Sequence, residues 1–150
     1  MLGSINTYDD LDRLTKEDIT SFRSDVDDSI EHIEQSYSNL GRVQSITTKV
    51  TSENVFNQVV FEYNGFGQVV TSYQEHDGAK DGNTLDVEYQ YTDDANSYLE
   101  KLTYPDASVS DGVQSLYYTY TRGTSDYQKA GEKLGRVAAI MLKADYDEDP

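Results

Sequence analysis

The residues best suited to acid–base chemistry form the tripeptide Glu75-His76-Asp77. A histidine beside a carboxylate can act as a general base or as a metal ligand near neutral pH. If this segment is extended, neighbouring side chains point to opposite faces of the strand, so the three groups cannot converge without a bend. A single short motif of this kind is weak evidence for a site. We therefore predict no catalytic role for these residues, nor for the other histidine, His32.

The segment that begins at Asp77 resembles a calcium-binding loop only in part. An EF-hand loop needs oxygen ligands at positions 1, 3 and 5, a glycine at position 6 and a glutamate at position 12. Asp81, Gly82 and Glu88 occupy positions 5, 6 and 12, but position 3 is Ala79. We interpret the segment as a solvated hairpin loop and predict no metal site. Phosphate-binding glycine loops and nucleophile motifs are also absent from the sequence, so it predicts no cofactor and no catalytic residue.

Charge and composition exclude several classes of function. The 150 residues include 28 acidic and 12 basic side chains, for a net charge of −16. A nucleic-acid partner is not expected, because such binding needs a basic footprint. No stretch is apolar enough to cross a bilayer, and the N-terminal residues lack the pattern of a signal peptide. Cysteine is absent, which excludes disulfides and thiolate metal sites.

Alternating apolar and polar residues predict β-strands along most of the chain. Between Asp86 and Tyr91, every second residue is Val or Tyr, as in a strand with one face covered. Leu116, Tyr118 and Tyr120 repeat this pattern. Further strands are predicted at 43–50, 59–63, 69–73, 99–104 and 137–142. Two polar segments, 16–28 and 125–133, are predicted to be loops.

A tyrosine returns every 26 to 29 residues, and this spacing organises the whole sequence. The six marker tyrosines are Tyr8, Tyr37, Tyr63, Tyr91, Tyr120 and Tyr146. Turn residues follow the clearest markers, and Asn64-Gly65 predicts a hairpin because both residues tolerate a positive φ. Each repeat is therefore predicted to consist of a strand, a turn and a second strand. A period of this length indicates a repeat architecture. We predict an all-β chain, residues 1–150, with about five repeats and a truncated sixth.

The turn motif resembles the repeat of the Rhs, or YD-repeat, family, which is Tyr-Asp, two variable residues and Gly-Arg-Leu. The stretch from Tyr37 to Val43, YSNLGRV, matches it apart from Ser38 in place of Asp. In the first copy Asp12 replaces the glycine, and in the third Gln68 replaces the arginine. The motif positions that we assign a structural role are Tyr8, Asp9, Arg13, Tyr37, Gly41, Arg42, Tyr63, Gly67, Tyr91, Tyr104, Tyr120, Gly135, Arg136 and Tyr146.

This resemblance implies a fold and a function. Antiparallel hairpins would form one curved sheet, a segment of a β-shell or a cell-surface scaffold that encloses or presents a toxin or effector domain. Its partners would be neighbouring repeats or an enclosed C-terminal effector domain of a longer chain, and its location would be extracellular or at the cell surface. Each tyrosine ring would pack on the tyrosine of a neighbouring strand, glycine would permit the turn, and arginine would cover the ring edge or pair with the turn aspartate.

A second interpretation is a carbohydrate- or protein-binding β-module. Tyrosine rings stack on sugars, and the predicted Tyr-rich face includes Tyr89 and Tyr118. Open sheet edges could instead accept the strand of a partner protein.

Overall fold

The chain folds into β-strands joined by turns and loops. The structure is a computed structural model, and it describes residues 3–21, 29–92, 97–105, 113–120 and 137–142. Ten strands occur in these ranges, and none of their residues is helical. Contacts divide the chain into two units, of which the first ends at Asp86 and the second begins at Val87. The predicted all-β class with antiparallel hairpins is confirmed.

Six strands make up the first unit, and each is antiparallel to the next along the chain. They are β1 (Gly3–Tyr8), β2 (Leu14–Ser21), β3 (His32–Tyr37), β4 (Val43–Lys49), β5 (Val55–Tyr63) and β6 (Val69–Glu75). Strand β2 corrects one prediction, because residues 16–21 belong to it and not to a loop. Lys16, Glu17 and Asp18 pair with β3, so cross-strand hydrogen bonds hold this polar segment extended. Residues 22–28 of the predicted loop lie outside the described ranges.

The second unit contains two hairpins. Its strands are β7 (Asp86–Tyr91), β8 (Leu99–Pro105), β9 (Val113–Tyr120) and β10 (Val137–Leu142). Strand β8 pairs antiparallel with β7 and β9, and β10 pairs antiparallel with β9. These bounds agree with the strands predicted at 86–91, 99–104 and 137–142. The loop predicted at 125–133 falls outside the described residues.

Apolar burial contributes little to either unit. No hydrophobic side chain in the described ranges is fully buried, and the buried side chains are the polar residues His32, Thr47 and Ser115. Folding must nevertheless offset a backbone entropy cost of about 1–2 kcal/mol per residue. Strand pairing and the side chains between strands therefore carry the stability of this part of the chain.

The turns that follow the first three marker tyrosines share one geometry. In the first, the Asp9 amide donates to the carbonyl of Arg13 at 2.9 Å, and the Asp12 amide donates to the carbonyl of Asp9 at 3.0 Å. The residue four after the marker tyrosine is left-handed in each turn, with φ of 58° at Asp12, 77° at Gly41 and 80° at Gly67. This is a type I turn closed by a residue in the left-handed region, a common three-residue hairpin loop.

The turn predicted at Asn64-Gly65 is present, but its conformation differs from the prediction. The positive φ lies at Gly67 and not at Asn64 or Gly65. The side chain of Asn64 explains the difference, since its Oδ1 accepts hydrogen bonds from the amides of Phe66 and Gln68 at 3.0 Å. An Asx turn of this kind holds a right-handed turn ahead of the left-handed residue.

Candidate functional site

Three marker tyrosines join their hairpin to the one before it. The Tyr37 hydroxyl donates to the carbonyl oxygen of Leu14 at 2.6 Å, and the Tyr63 hydroxyl donates to that of Val43 at 2.6 Å. In the second unit, the Tyr120 hydroxyl donates to the carbonyl of Leu99 at 2.7 Å. Each acceptor is the first residue of the second strand in the preceding hairpin. We call this boundary between consecutive hairpins a seam.

The seam tyrosines act where strand pairing stops. Registered pairs between β2 and β3 reach only Lys16 with Glu34, two residues short of Leu14. The same gap separates the last pairs of the other two seams, Ser45 with Val60 and Lys101 with Tyr117, from the carbonyls of Val43 and Leu99. The tyrosine hydroxyl therefore satisfies a backbone acceptor beyond the end of the ladder. Such a hydrogen bond contributes about 0.5–1.5 kcal/mol.

Arginines of the motif cover the tyrosine of the following hairpin. The Arg13 guanidinium carbon lies 4.3 Å from the centre of the Tyr37 ring, and that of Arg42 lies 5.8 Å from the centre of the Tyr63 ring. A cation over an aromatic face contributes about 0.5–1 kcal/mol at an exposed site. The sequence predicted that arginine covers the ring edge or pairs with the turn aspartate; Arg13 pairs with Asp9, and its guanidinium lies over the ring of Tyr37 and not at the ring edge.

Motif glycines face the same guanidinium groups. A Cβ atom built on Gly67 would overlap the guanidinium of Arg42, and one built on Gly41 would lie 3.6 Å from Nη1 of Arg13. Each seam in the first unit therefore has three parts: a guanidinium from one hairpin, and a tyrosine and a glycine from the next. The glycine therefore leaves room for the guanidinium at the seam and also adopts the positive φ of its own turn.

Asp9 fixes the first turn through both of its carboxylate oxygens. Oδ1 accepts from the amides of Leu11 and Arg13 at 2.9 and 3.0 Å. Oδ2 accepts from Nε of Arg13 at 2.8 Å and lies 2.6 Å from its Nη2. The side-chain hydrogen bond from Arg13 is the largest cause that lowers the pKa of Asp9. The aspartate thus holds the turn and orients the arginine toward Tyr37.

The other predicted motif residues make contacts of different kinds. Tyr91 ends β7 opposite Leu99, and burial is the main cause that raises its pKa. The Tyr104 hydroxyl donates to Oε1 of Gln114 on β9. Tyr120 stacks on Tyr98, the residue just before β8, with ring centres 4.8 Å apart, whereas the sequence predicted packing on a tyrosine within the neighbouring strand. Gly135, Arg136 and Tyr146 lie outside the described residues.

The proposed binding-face residues lie on one face of the second unit. Tyr89 pairs with Leu102, and Leu102 pairs with Leu116 on β9. Directly paired residues share a face, and Tyr118 is two residues beyond Leu116, so both rings project to the same side of the sheet. Tyr117 faces the other side, with its ring centre 5.7 Å from the Lys101 ammonium. The strand register therefore places Tyr89 and Tyr118 on one face of the second unit.

The carboxylate of Glu75 contacts the backbone of the two residues that follow it and the side chain of Thr84. Oε1 of Glu75 accepts from the backbone amides of His76 and Asp77 at 2.9 and 3.2 Å. Its Oε2 accepts from the Thr84 hydroxyl at 2.6 Å, the largest cause that lowers the pKa of Glu75. The His76 side chain is exposed. The carboxylate therefore organises the loop between β6 and β7.

His32 belongs to a charged row that crosses three strands. It is 4% exposed and lies opposite Asp18 on β2 and Lys49 on β4. Its Nε2 makes no hydrogen bond and lies 3.5 Å from Oε1 of Glu34, whose Oε2 contacts Nζ of Lys49 at 2.8 Å. The carboxylate of Glu34 therefore links the lysine and the histidine.

Three or more His, Asp or Glu side chains that could hold a metal ion do not come together in the described part of the chain, and this includes the loop from Asp77 to Glu88. Within those residues there is also no helix with the length and hydropathy that crossing a membrane requires.

Sequence reasoning missed the backbone acceptors of the seams and the partner of Glu75. A carbonyl oxygen has no sequence signature, so Leu14, Val43 and Leu99 could not be singled out. Thr84 lies nine residues from Glu75, and only the loop conformation brings them together. The side chains at the turn tips had a visible signal, because the third residue after the first three marker tyrosines is apolar: Leu11, Leu40 and Phe66.

Compared with known proteins, the chain matches no family model and no curated protein. The assignment of a function therefore rests on the geometry of the seams and on the residues of the repeat motif.

Proposed function

We propose that this chain is a non-enzymatic structural segment of a YD-repeat protein. It forms a portion of a β-shell or cell-surface scaffold that encloses or presents a toxin or effector domain, outside the cell or at its surface. Its immediate partners are neighbouring repeats of the same type or the enclosed effector domain.

The repeated seam is the observation that carries this proposal. A tyrosine from one hairpin bonds a backbone carbonyl of the preceding hairpin in three places, with donor–acceptor distances of 2.6 to 2.7 Å. Because hydrophobic burial is slight among the described residues, each hairpin depends on its neighbours for stability. Dependence of this kind is typical of repeat arrays, whose stability is a sum of nearest-neighbour terms.

An in-phase duplication tests the structural role. A second copy of residues 38–63 inserted after Tyr63 adds one hairpin with the spacing of the second repeat. We expect the free energy of unfolding in urea to rise, because the insertion adds one seam. The matched control carries the same insertion with the inserted copies of Arg42 and Tyr63 changed to Ala. If both insertions lower stability equally, the repeats do not extend one another and the proposal fails.

Catalysis would also contradict this proposal. The His76 side chain is exposed, and Glu75 is engaged by the loop. Hydrolytic or transferase activity of the purified chain that disappears in His76→Ala would show that the protein is an enzyme.

A carbohydrate-binding module is the second candidate, favoured by the position of Tyr89 and Tyr118 on one face. A glycan array would test it with Tyr89→Ala and Tyr118→Ala, and with Tyr117→Ala on the opposite face as the control. Specific binding that is lost in the first two variants and kept in the third supports a binding module. No binding, or equal loss in all three variants, counts against it.

A further inference from the structure

Three hairpin tips of the first unit expose apolar side chains at the same motif position. Leu11, Leu40 and Phe66, which we call the tip row, are 72%, 69% and 85% exposed. Each is the third residue after a marker tyrosine. Single exposed hydrophobic residues are ordinary on protein surfaces. An exposed apolar residue at the same position of three successive hairpins is a pattern that needs an explanation.

The turns themselves do not require these side chains. In the first turn, the Asp12 amide bonds the carbonyl of Asp9, so Leu11 occupies the third of the four turn positions. That position takes most residues, because its conformation is near a common right-handed one. The preceding position holds Asp10, Asn39 or Gly65 in the three turns, as turn chemistry favours. The geometry of the turn therefore does not account for the apolar residue.

Strand order places the tip row along one edge of the first unit. The turns after β1, β3 and β5 all lie at the same end of consecutive antiparallel strands. Neighbouring hairpins are two strands apart, a spacing of about 9.5 Å. An α-helix advances about 10.5 Å in seven residues. A helix with one apolar residue per heptad can therefore meet all three tips.

Charge specifies the partner further. Asp10 and Asp12 flank Leu11 and are exposed. Arg13 is engaged by Asp9 and Tyr37, and Arg42 lies over Tyr63. The chain as a whole carries a net charge of −16. The acidic first tip and the negative charge of the chain as a whole therefore repel anionic lipid and attract cationic groups.

We propose that the tip row docks a basic amphipathic helix of another polypeptide, one apolar residue of each helix heptad contacting one hairpin tip. The lysine or arginine residues of that helix lie against Asp10 and Asp12. This interaction is independent of the tyrosine seams, so the structural role and the docking role can fail separately.

Fluorescence anisotropy with a labelled 21-residue Ala/Lys peptide that has one Leu per heptad tests the proposal. We expect the triple variant Leu11→Ser, Leu40→Ser, Phe66→Ser to bind at least about tenfold more weakly, because three apolar contacts are lost at unchanged charge. The control triple variant Ile5→Ser, Phe56→Ser, Leu85→Ser removes exposed apolar side chains elsewhere and keeps its affinity. Asp10→Asn with Asp12→Asn weakens binding and reduces its salt dependence.

Four results would overturn the docking proposal. The peptide fails to bind, or the tip-row and control variants lose affinity equally. Alternatively, the tip row drives binding to phosphatidylcholine vesicles but not to the peptide, which identifies a lipid surface. Finally, sedimentation detects a dimer that the tip-row variant abolishes, which identifies a second copy of this chain. Thermal melts of all variants, monitored by circular dichroism, confirm that the fold is retained, as expected for exposed positions.

Discussion

The guanidinium of Arg42 occupies the space that a Cβ atom of Gly67 would need, so the arginine of one hairpin depends on the glycine of the next. Gly67 also has a φ of 80°, where residues with a Cβ are strained. Two separate requirements therefore fall on one glycine. The need for space is weaker at Gly41, since a Cβ there would lie at ordinary contact distance, 3.6 Å from Nη1 of Arg13.

The loss of unfolding free energy on substituting a motif glycine should increase with the number of these requirements that the glycine meets. We expect Gly67→Ala to lower the free energy of unfolding by about 1.5–3 kcal/mol, the sum of a left-handed Cβ penalty and a displaced cation over Tyr63. Gly41→Ala should cost about 1–2 kcal/mol, from the φ term alone. Gly65→Ala is the control and should lie within about 0.5 kcal/mol of the parent chain, because no atom lies within 4 Å of the new Cβ.

Urea denaturation of each variant measures these differences. The contribution of Arg42 is isolated by repeating Gly67→Ala in an Arg42→Ala background, where its cost should fall toward that of Gly41→Ala. An equal cost for Gly67→Ala in both backgrounds would show that the guanidinium does not constrain the glycine.

Loss of a seam hydroxyl should destabilise the chain without removing the ring. Tyr37→Phe, Tyr63→Phe and Tyr120→Phe each leave a backbone carbonyl without its donor, and we expect each to cost about 1 kcal/mol in urea denaturation. Tyr8→Phe is the control, because Tyr8 is 55% exposed and its hydroxyl accepts a long 3.3 Å hydrogen bond from Nδ2 of Asn6. A cost for Tyr8→Phe as large as for Tyr37→Phe would contradict the seam assignment.

The ion pair between Asp9 and Arg13 should be visible in a pH titration. The pKa of Asp9 is lowered from its ordinary value near 3.8, chiefly by the side-chain hydrogen bond from Arg13. Because the folded pKa is the lower one, the stabilisation is complete above about pH 4 and is lost as the pH falls through the folded pKa. We expect Arg13→Gln to raise the Asp9 pKa toward the ordinary value, as measured by NMR of the carboxyl carbon. Arg42→Gln should leave it unchanged, and a shift of equal size in both variants would rule out the pairing.

Local patterns in the sequence predict the strands and the places where they turn. Alternation identified β7 from Asp86 to Tyr91, and turn residues marked the hairpin at Asn64. Tertiary effects explain the errors. Lys16 to Asp18 looked like a loop because these residues are charged, yet pairing with β3 holds them extended. The left-handed φ lies at Gly67 because the Asn64 side chain caps the amides of Phe66 and Gln68, a contact that composition alone does not rank.

The roles within the repeat motif were only partly predictable. The arginine could be assigned to a ring or to an aspartate from its charge, but not to the tyrosine of the following hairpin. That assignment depends on strand order, which places Arg13 next to Tyr37 across β2 and β3. Likewise, a tyrosine in a strand predicts a packed ring, whereas the hydroxyl contact with Leu14 depends on where the ladder ends.

The loop between β6 and β7 should depend on Thr84 and not on His76. The Thr84 hydroxyl is the main cause that lowers the pKa of Glu75 from its ordinary value near 4.5, so the stabilisation is present above that pH and is lost as the pH falls through the lower folded value. We expect Thr84→Val to raise the Glu75 pKa in an NMR titration. The same variant should speed hydrogen exchange at the amides of His76 and Asp77, which Glu75 holds. His76→Ala keeps the backbone donor and should change neither quantity. If His76→Ala moved the Glu75 pKa as far as Thr84→Val does, the histidine ring and not the threonine would control this loop.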